Sequence, residues 1–176
     1  MPNPTSSDIE RAIRNIPDFP KPGIQFKDIT PVLADARLFS SCIDLLTEGF
    51  APGTVDAVVG IDARGFIFAA AAATKLHAGF VPIRKKGKLP YQTHEQQYDL
   101  EYGTATVAIH VDALKPGSRV LLIDDLLATG GTAAAAAALV QKLGGKILEI
   151  SFLIELSFLS GRERLKGYPV RSLVVY

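Results

Sequence analysis

Two adjacent carboxylates, Asp124 and Asp125, follow an apolar run at residues 120–123 and precede the stretch Leu-Leu-Ala-Thr-Gly-Gly-Thr, which ends at Thr132. Gly130 and Gly131 let backbone N–H groups approach a ligand closely, and Thr129 and Thr132 can add hydroxyl donors to the same oxygens. Six alanines follow at 133–138. They predict a helix whose unpaired N–H groups and dipole face the turn, an arrangement suited to phosphate. Carboxylates beside a phosphate repel it unless they address a different part of the ligand, and sugar hydroxyls or a bridging cation would satisfy them. The implied ligand is a ribose 5′-phosphate. Glycine pairs are also common turns, and paired aspartates often only cap helices, so spacing alone leaves both readings open.

Other chemistries find less support. The chain has no GxxxxGK[ST] motif, and no GxGxxG follows the first strand. His77, His94 and His110 lack metal-ligand spacing. Cys42 is the single cysteine, which excludes an internal disulfide, fits a reducing compartment and reads as a small buried hydrophobe. A net charge of +1 provides no global field for nucleic acid or an acidic membrane, so an anion must be gripped locally. The N-terminus lacks the features of a secretory signal, and charge interrupts every apolar run before membrane-spanning length. A soluble, cytoplasmic protein is expected.

With 176 residues, 48% hydrophobic and 21% charged, the chain is expected to form one domain. Periodicity predicts a helix over 6–16, capped by Ser6 or Ser7, and a proline-rich loop over 17–31 with at most a short edge strand. A helix over 35–50 closes near Gly49. A strand at 55–62 then leads through a turn to a helix over 66–79, stopped by Gly79, and a strand at 80–84. Residues 85–97 are polar and aperiodic. The alternation Val107, Ile109, Val111 marks an antiparallel strand, expected to pair with 98–102. Strand 119–125, a helix ended by Gly144, strand 146–156 and strand 168–176 complete the chain. The predicted class is α/β, with a mostly parallel central sheet covered by helices on both faces and right-handed crossovers. Ligands in such folds sit past the strands' C-terminal ends, here the turns at 61–66 and 123–132.

The stretch VLLIDDLLATGGT resembles the phosphoribosyl pyrophosphate signature of type I phosphoribosyltransferases. The longer set FPKPGIQFKDITP, ARGF, IRKKGKLP, YDLEYG and DDLLATGGT is similar to the adenine-using members of that family, over nearly the whole chain and in the same order. The resemblance implies a small N-terminal hood (about 1–34 plus a C-terminal part), a flexible β-hairpin loop (about 86–103) and a homodimer. It implies adenine and phosphoribosyl pyrophosphate as substrates, AMP and pyrophosphate as products, and Mg²⁺ bound with the donor rather than directly by protein side chains.

By the same resemblance, Ala128, Thr129, Gly130, Gly131 and Thr132 hold the 5′-phosphate. Asp124 and Asp125 face the ribose hydroxyls, where their charge would also stabilise an oxocarbenium-like transition state. Ala63, Arg64, Arg84, Lys85, Lys88 and Tyr102 contact pyrophosphate, arginine's planar fork suiting paired phosphate oxygens. A cis peptide between Asp62 and Ala63 is implied. Lys86 reads as a solvated charge, and residues 87–97 as a lid that excludes water. Phe26 would stack on the base, the backbone at Gln25 would pair with its N1 and N6, Lys27 belongs to the same adenine-binding strand, and Leu156 would cover the other face. Core packing explains Phe26 and Leu156 as well. Glu101 is the candidate acid/base near N7.

Three rivals remain. A phosphoribosyltransferase for another base conflicts with residues 22–28 and Glu101. A nucleic-acid-binding regulator on the same fold lacks a basic helix. A donor-synthesising kinase should be longer and carry ATP-binding elements.

Overall fold

The computed structural model describes residues 3–99 and 103–176. The chain forms two compact units, Met1–Leu45 and Leu46–Tyr176.

In the first unit, α1 (Ser6–Ala12) is capped by Thr5 rather than by either serine. The Thr5 N–H donates to the Asp8 carboxylate at 2.8 Å, so the cap lies one residue before the expected pair. The helix stops at Ala12, short of the predicted Ile16, and Arg14–Pro17 forms strand β1. Pro17 disfavours helical backbone at Ile16, and antiparallel pairing with β2 (Gln25–Asp28) supplies the alternative. A short helix, α2 (Thr30–Ala34), tolerates Pro31 in its first turn. Asp35 then caps α3 (Ala36–Leu46), its carboxylate accepting from the N–H groups of Arg37 and Leu38 at 2.9 and 3.0 Å.

The second unit is built on a seven-stranded sheet, formed by β3 (Ala57–Ile61), β4 (Gly79–Lys85), β5 (Thr93–Asp99), β6 (Thr104–His110), β7 (Arg119–Leu127), β8 (Lys146–Glu155) and β9 (Val170–Val175). Its order is β5-β6-β4-β3-β7-β8-β9. The five strands from β4 to β9 in that order are parallel, while β6 pairs antiparallel with both β4 and β5. This is the mostly parallel α/β sheet expected.

Alternation within β3 assigns a helix to each face. Val59 and Ile61 point into a core shared with Leu122, Phe152, Ala136 and Leu139, beneath α5 (Gly131–Lys142). Gly60 points the other way, where an added Cβ would lie 2.7 Å from the Cβ of Ala69 on α4 (Gly65–Leu76). The alanine run lets α5 lie close to the sheet, with Ala135, Ala136 and Ala137 all buried.

Several boundaries differ from expectation. His77 ends α4 in the left-handed conformation (φ 53°), while Gly79 already belongs to β4. Strand β5 starts at Thr93, five residues before the predicted 98, and β6 stops before Val111. Glu95, Gln96 and Gln97 are exposed on this edge strand, whose backbone pairing needs no apolar alternation. Strand β7 runs on to Leu127, so both aspartates lie within a strand still paired to β8. Two 3-10 turns, Ser157–Leu159 and Gly161–Leu165, had no periodic signal.

Candidate active site

The C-terminal ends of β3 and β7 lie side by side, and the helices that follow them start there. Gly131 opens α5, with Gly130 before it in a left-handed conformation (φ 81°) that strongly favours glycine. The first intrahelical bond runs from the N–H of Ala134 to the carbonyl of Gly130, 2.9 Å. The preceding N–H groups have no intrahelical acceptor. They border a recess of about 70 Å³ lined by Asp124 and residues 126–133. Since a water molecule occupies ~30 Å³ of liquid, this recess takes a group of only a few heavy atoms. Ala128 to Thr132 are therefore brought together around one small oxyanion-sized space.

Asp124 and Asp125 stand beside it with distinct partners. Asp124 Oδ1 accepts the N–H of Asp125 at 2.8 Å. Asp125 Oδ2 accepts from Arg64 Nε at 2.7 Å. Burial raises both carboxyls above the usual range. The neighbouring Asp125 charge drives Asp124 higher still, whereas the Arg64 guanidinium partly offsets the rise in Asp125. Gly65 makes this proximity feasible, since a Cβ there would lie 2.6 Å from Asp124 Oδ1 and 3.2 Å from the Ile123 carbonyl.

The turn after β3 supplies the cationic side. The Asp62–Ala63 peptide is cis, as is Phe19–Pro20. Arg64 is the residue before α4 and reaches across to Asp125. Arg84, on β4, donates through Nε to Asp62 Oδ2 at 2.9 Å and through Nη1 to the Lys88 carbonyl at 3.1 Å. Lys85 and Lys88 are exposed, and Lys86 pairs with Glu95 at 2.8 Å on the hairpin's outer surface. Asp62 and Gly65 were not anticipated. Their role appears only when two strand ends are placed together, and neither leaves a periodic trace.

Leu156 follows β8, half-buried, and its N–H donates at 2.9 Å to the carbonyl of Leu127, which lines the recess. In the N-terminal unit, the Phe26 ring meets Phe19 edge-on at 5.2 Å. Gln25 accepts from Asn15 Nδ2 through its side chain at 2.6 Å, and its register partner Pro17 has no N–H to give. Lys27 lies opposite Asn15. Glu101 and Tyr102 lie outside the described residues.

Among the described residues, no group of three or more His, Cys, Asp or Glu could enclose a metal ion. The adjacent carboxylates of Asp124 and Asp125 can contribute one or two oxygens, a donor set fitting a hard cation that brings most of its ligands from phosphate, hydroxyl and water. No helix among the described residues is long and apolar enough to cross a membrane.

The phosphoribosyl transferase domain profile matches residues 25–173. Over 162 residues the chain is 61% identical to the adenine phosphoribosyltransferase of Acidothermus cellulolyticus, covering 92% of each chain. It is 56% identical to that of Chloroflexus aurantiacus over 98% of this chain and 99% of the relative. The chain belongs to the adenine phosphoribosyltransferase family. Solved structures agree. The adenine phosphoribosyltransferase of Rhodothermus marinus superposes with a TM-score of 0.92 at 52% identity, covering 97% of this chain and 98% of that one. The Saccharomyces cerevisiae adenine phosphoribosyltransferase, complexed with D-2,5-dideoxy-2,5-imino-altritol 1,6-bisphosphate and adenine, has a TM-score of 0.90 at 41% identity, covering 96% and 97%.

Proposed function

We propose that this chain transfers a 5-phosphoribosyl group from phosphoribosyl pyrophosphate to N9 of adenine, yielding AMP and pyrophosphate in purine salvage. The observation that carries the reading is the small amide-lined recess at residues 128–132 with two carboxylates immediately beside it. A phosphate monoester fits the first, and the hydroxyls of the attached sugar fit the second.

In this reading the sugar phosphate is anchored first, with its 5′-oxygens on the amides and hydroxyls of Ala128 to Thr132. Asp124 and Asp125 accept from the ribose hydroxyls and place negative charge near C1′. As the C1′–pyrophosphate bond lengthens, positive charge grows on the ribosyl ring, and those fixed carboxylates stabilise it. Arg64 exchanges Asp125 for pyrophosphate oxygens. Arg84, Lys85 and Lys88 supply further positive charge to the leaving group, joined by the backbone at Ala63 and by Tyr102. Mg²⁺ bound with the donor would supply neutralising charge to its phosphates, with Asp124 and Asp125 the side chains that could lend it an oxygen. The backbone of Gln25 reads N1 and N6 of adenine with one donor and one acceptor, a pattern that guanine reverses. By the resemblance, Phe26, Lys27 and Leu156 contribute to binding the ring. Glu101 holds a proton at N7, which makes N9 the nucleophile.

We also propose a cytoplasmic homodimer. Supporting self-association, Phe80 and Ile67 are exposed apolar side chains, and the Phe80 ring meets Phe66 edge-on at 5.4 Å.

The deciding measurement is pyrophosphate release with adenine, phosphoribosyl pyrophosphate and Mg²⁺, omitting each in turn and replacing adenine by hypoxanthine or guanine. Release requiring all three and favouring adenine is expected. Equal turnover of hypoxanthine would refute the assignment of base.

A further inference from the structure

Behind the phosphate recess lies a segment to which no role has been given. The two 3-10 turns spanning Ser157–Leu165 pack against it, and two glycines meet at the contact. A Cβ on Gly161 would overlap the Ala128 carbonyl oxygen and lie 2.9 Å from Leu127 Cδ1. A Cβ on Gly130 would in turn overlap the Gly161 carbonyl oxygen. Gly161 is buried although Ser160 and Arg162 beside it are exposed.

This bracket is pinned on every side. Arg162 forks onto the buried Glu155, its Nε 2.8 and 2.9 Å from the two carboxylate oxygens, and donates through Nη1 to the Val170 carbonyl at 3.0 Å. Leu165 is inserted in the sheet core at 1% exposure. The N–H and hydroxyl of Ser157 both donate to the Tyr176 carbonyl, at 2.8 and 2.7 Å. Burial pushes the Glu155 carboxyl up, but the Arg162 and Ser172 hydrogen bonds outweigh it and the carboxyl stays ionised below its usual range.

In the proposed function the recess holds its ligand largely through backbone N–H groups, so affinity would depend on how the peptide planes at 128–131 are aimed. Preorganised donors bind well only when something rigid holds them. We propose that Gly161 is a positioning residue for sugar-phosphate binding: lacking a side chain, it lets the bracket dock flush against Ala128 and Gly130 and so fixes the amides that receive the phosphate. This rests on residues 128–132 being the 5′-phosphate cradle.

The test is calorimetric titration of ribose 5-phosphate, and separately of pyrophosphate, into the parent chain, G161A, R162Q and the cradle variant T132V, with a thermal unfolding curve for each. G161A is expected to bind ribose 5-phosphate about tenfold more weakly, the loss that follows from misaiming one or two charge-assisted hydrogen bonds. Its pyrophosphate affinity should match the parent. R162Q, which loosens the bracket without adding bulk, should shift the same ratio in the same direction. A G161A protein that loses affinity for both ligands alike has merely been damaged, and the inference falls. If G161A does not fold, R162Q decides, and parental ribose 5-phosphate affinity in folded R162Q overturns the inference. Weakened binding in T132V alone would leave the cradle standing and remove Gly161 from it. Unchanged binding in all three variants would overturn the cradle itself.

Discussion

At the residue scale, the site concentrates opposing demands in Asp124 and Asp125. Both carboxyls are raised by burial, so the native state holds protons that the unfolded chain releases near 3.8. Stability contributed by the protonated forms is therefore lost as pH climbs from 3.8 through the raised folded values. Replacing Asp124 by Asn removes that cost while keeping the Oδ1 acceptor for the Asp125 N–H. Asp124→Asn should raise the ligand-free Tm at neutral pH by about 2–4 °C, with kcat falling ~10²–10³-fold because charge near C1′ is lost. Differential scanning calorimetry beside the pyrophosphate-release assay checks both halves, and a lower Tm would refute the electrostatic account. Glu101→Leu should lower kcat about 10²–10⁴-fold with donor binding largely retained. An unaltered kcat in steady-state kinetics would take Glu101 out of the mechanism.

At the element scale, the site exists because β3 and β7 are parallel neighbours whose register sets Gly60 against Ile123, one residue before Asp124. Their starts are also tied. Arg119 at the head of β7 donates to Asp56, just before β3, through both Nε and Nη2 at 3.0 and 2.8 Å. These bonds lower the Asp56 carboxyl from 3.8 to about 2. A lowered folded value means the contribution is complete above 3.8 and vanishes as pH falls toward 2. Asp56→Asn should accordingly flatten the dependence of Tm on pH across that interval, as thermal melts at successive pH values would reveal; a slope identical to the parent's contradicts the pairing. Helix α4 obeys a related constraint. Gly65→Ala forces a methyl against Asp124 Oδ1, so kcat should drop about tenfold or more even though alanine favours helix, a loss that kinetics on the folded variant can measure.

At the scale of the whole molecule, the exposed Phe80, edge-on to Phe66, marks the apolar patch on which the proposed assembly is tested. Phe80→Glu introduces charge on that patch and should move the chain from dimer toward monomer in light scattering at micromolar concentration. A parent chain that is already monomeric would end the dimer proposal.

Much of this protein could be read from its residues in order. The alanine run after Gly-Gly identified α5 and its mouth, and the apolar blocks identified β3, β7 and β8, because helix and buried-strand periodicities are local properties of a chain. The tight turn at Ala128–Thr132 was legible for the same reason, since those five recess-lining residues are consecutive. The strand start at Thr93 was not, as an exposed edge strand is fixed by backbone pairing to β6 rather than by its own side chains. Nor were Asp62, Gly65 and Gly161, each of which matters through an atom far away in sequence: Arg84 Nε, Asp124 Oδ1, the Ala128 carbonyl. Local periodicity chose the elements, and only packing two strand ends within a few ångströms decided which small residues had to stand between them.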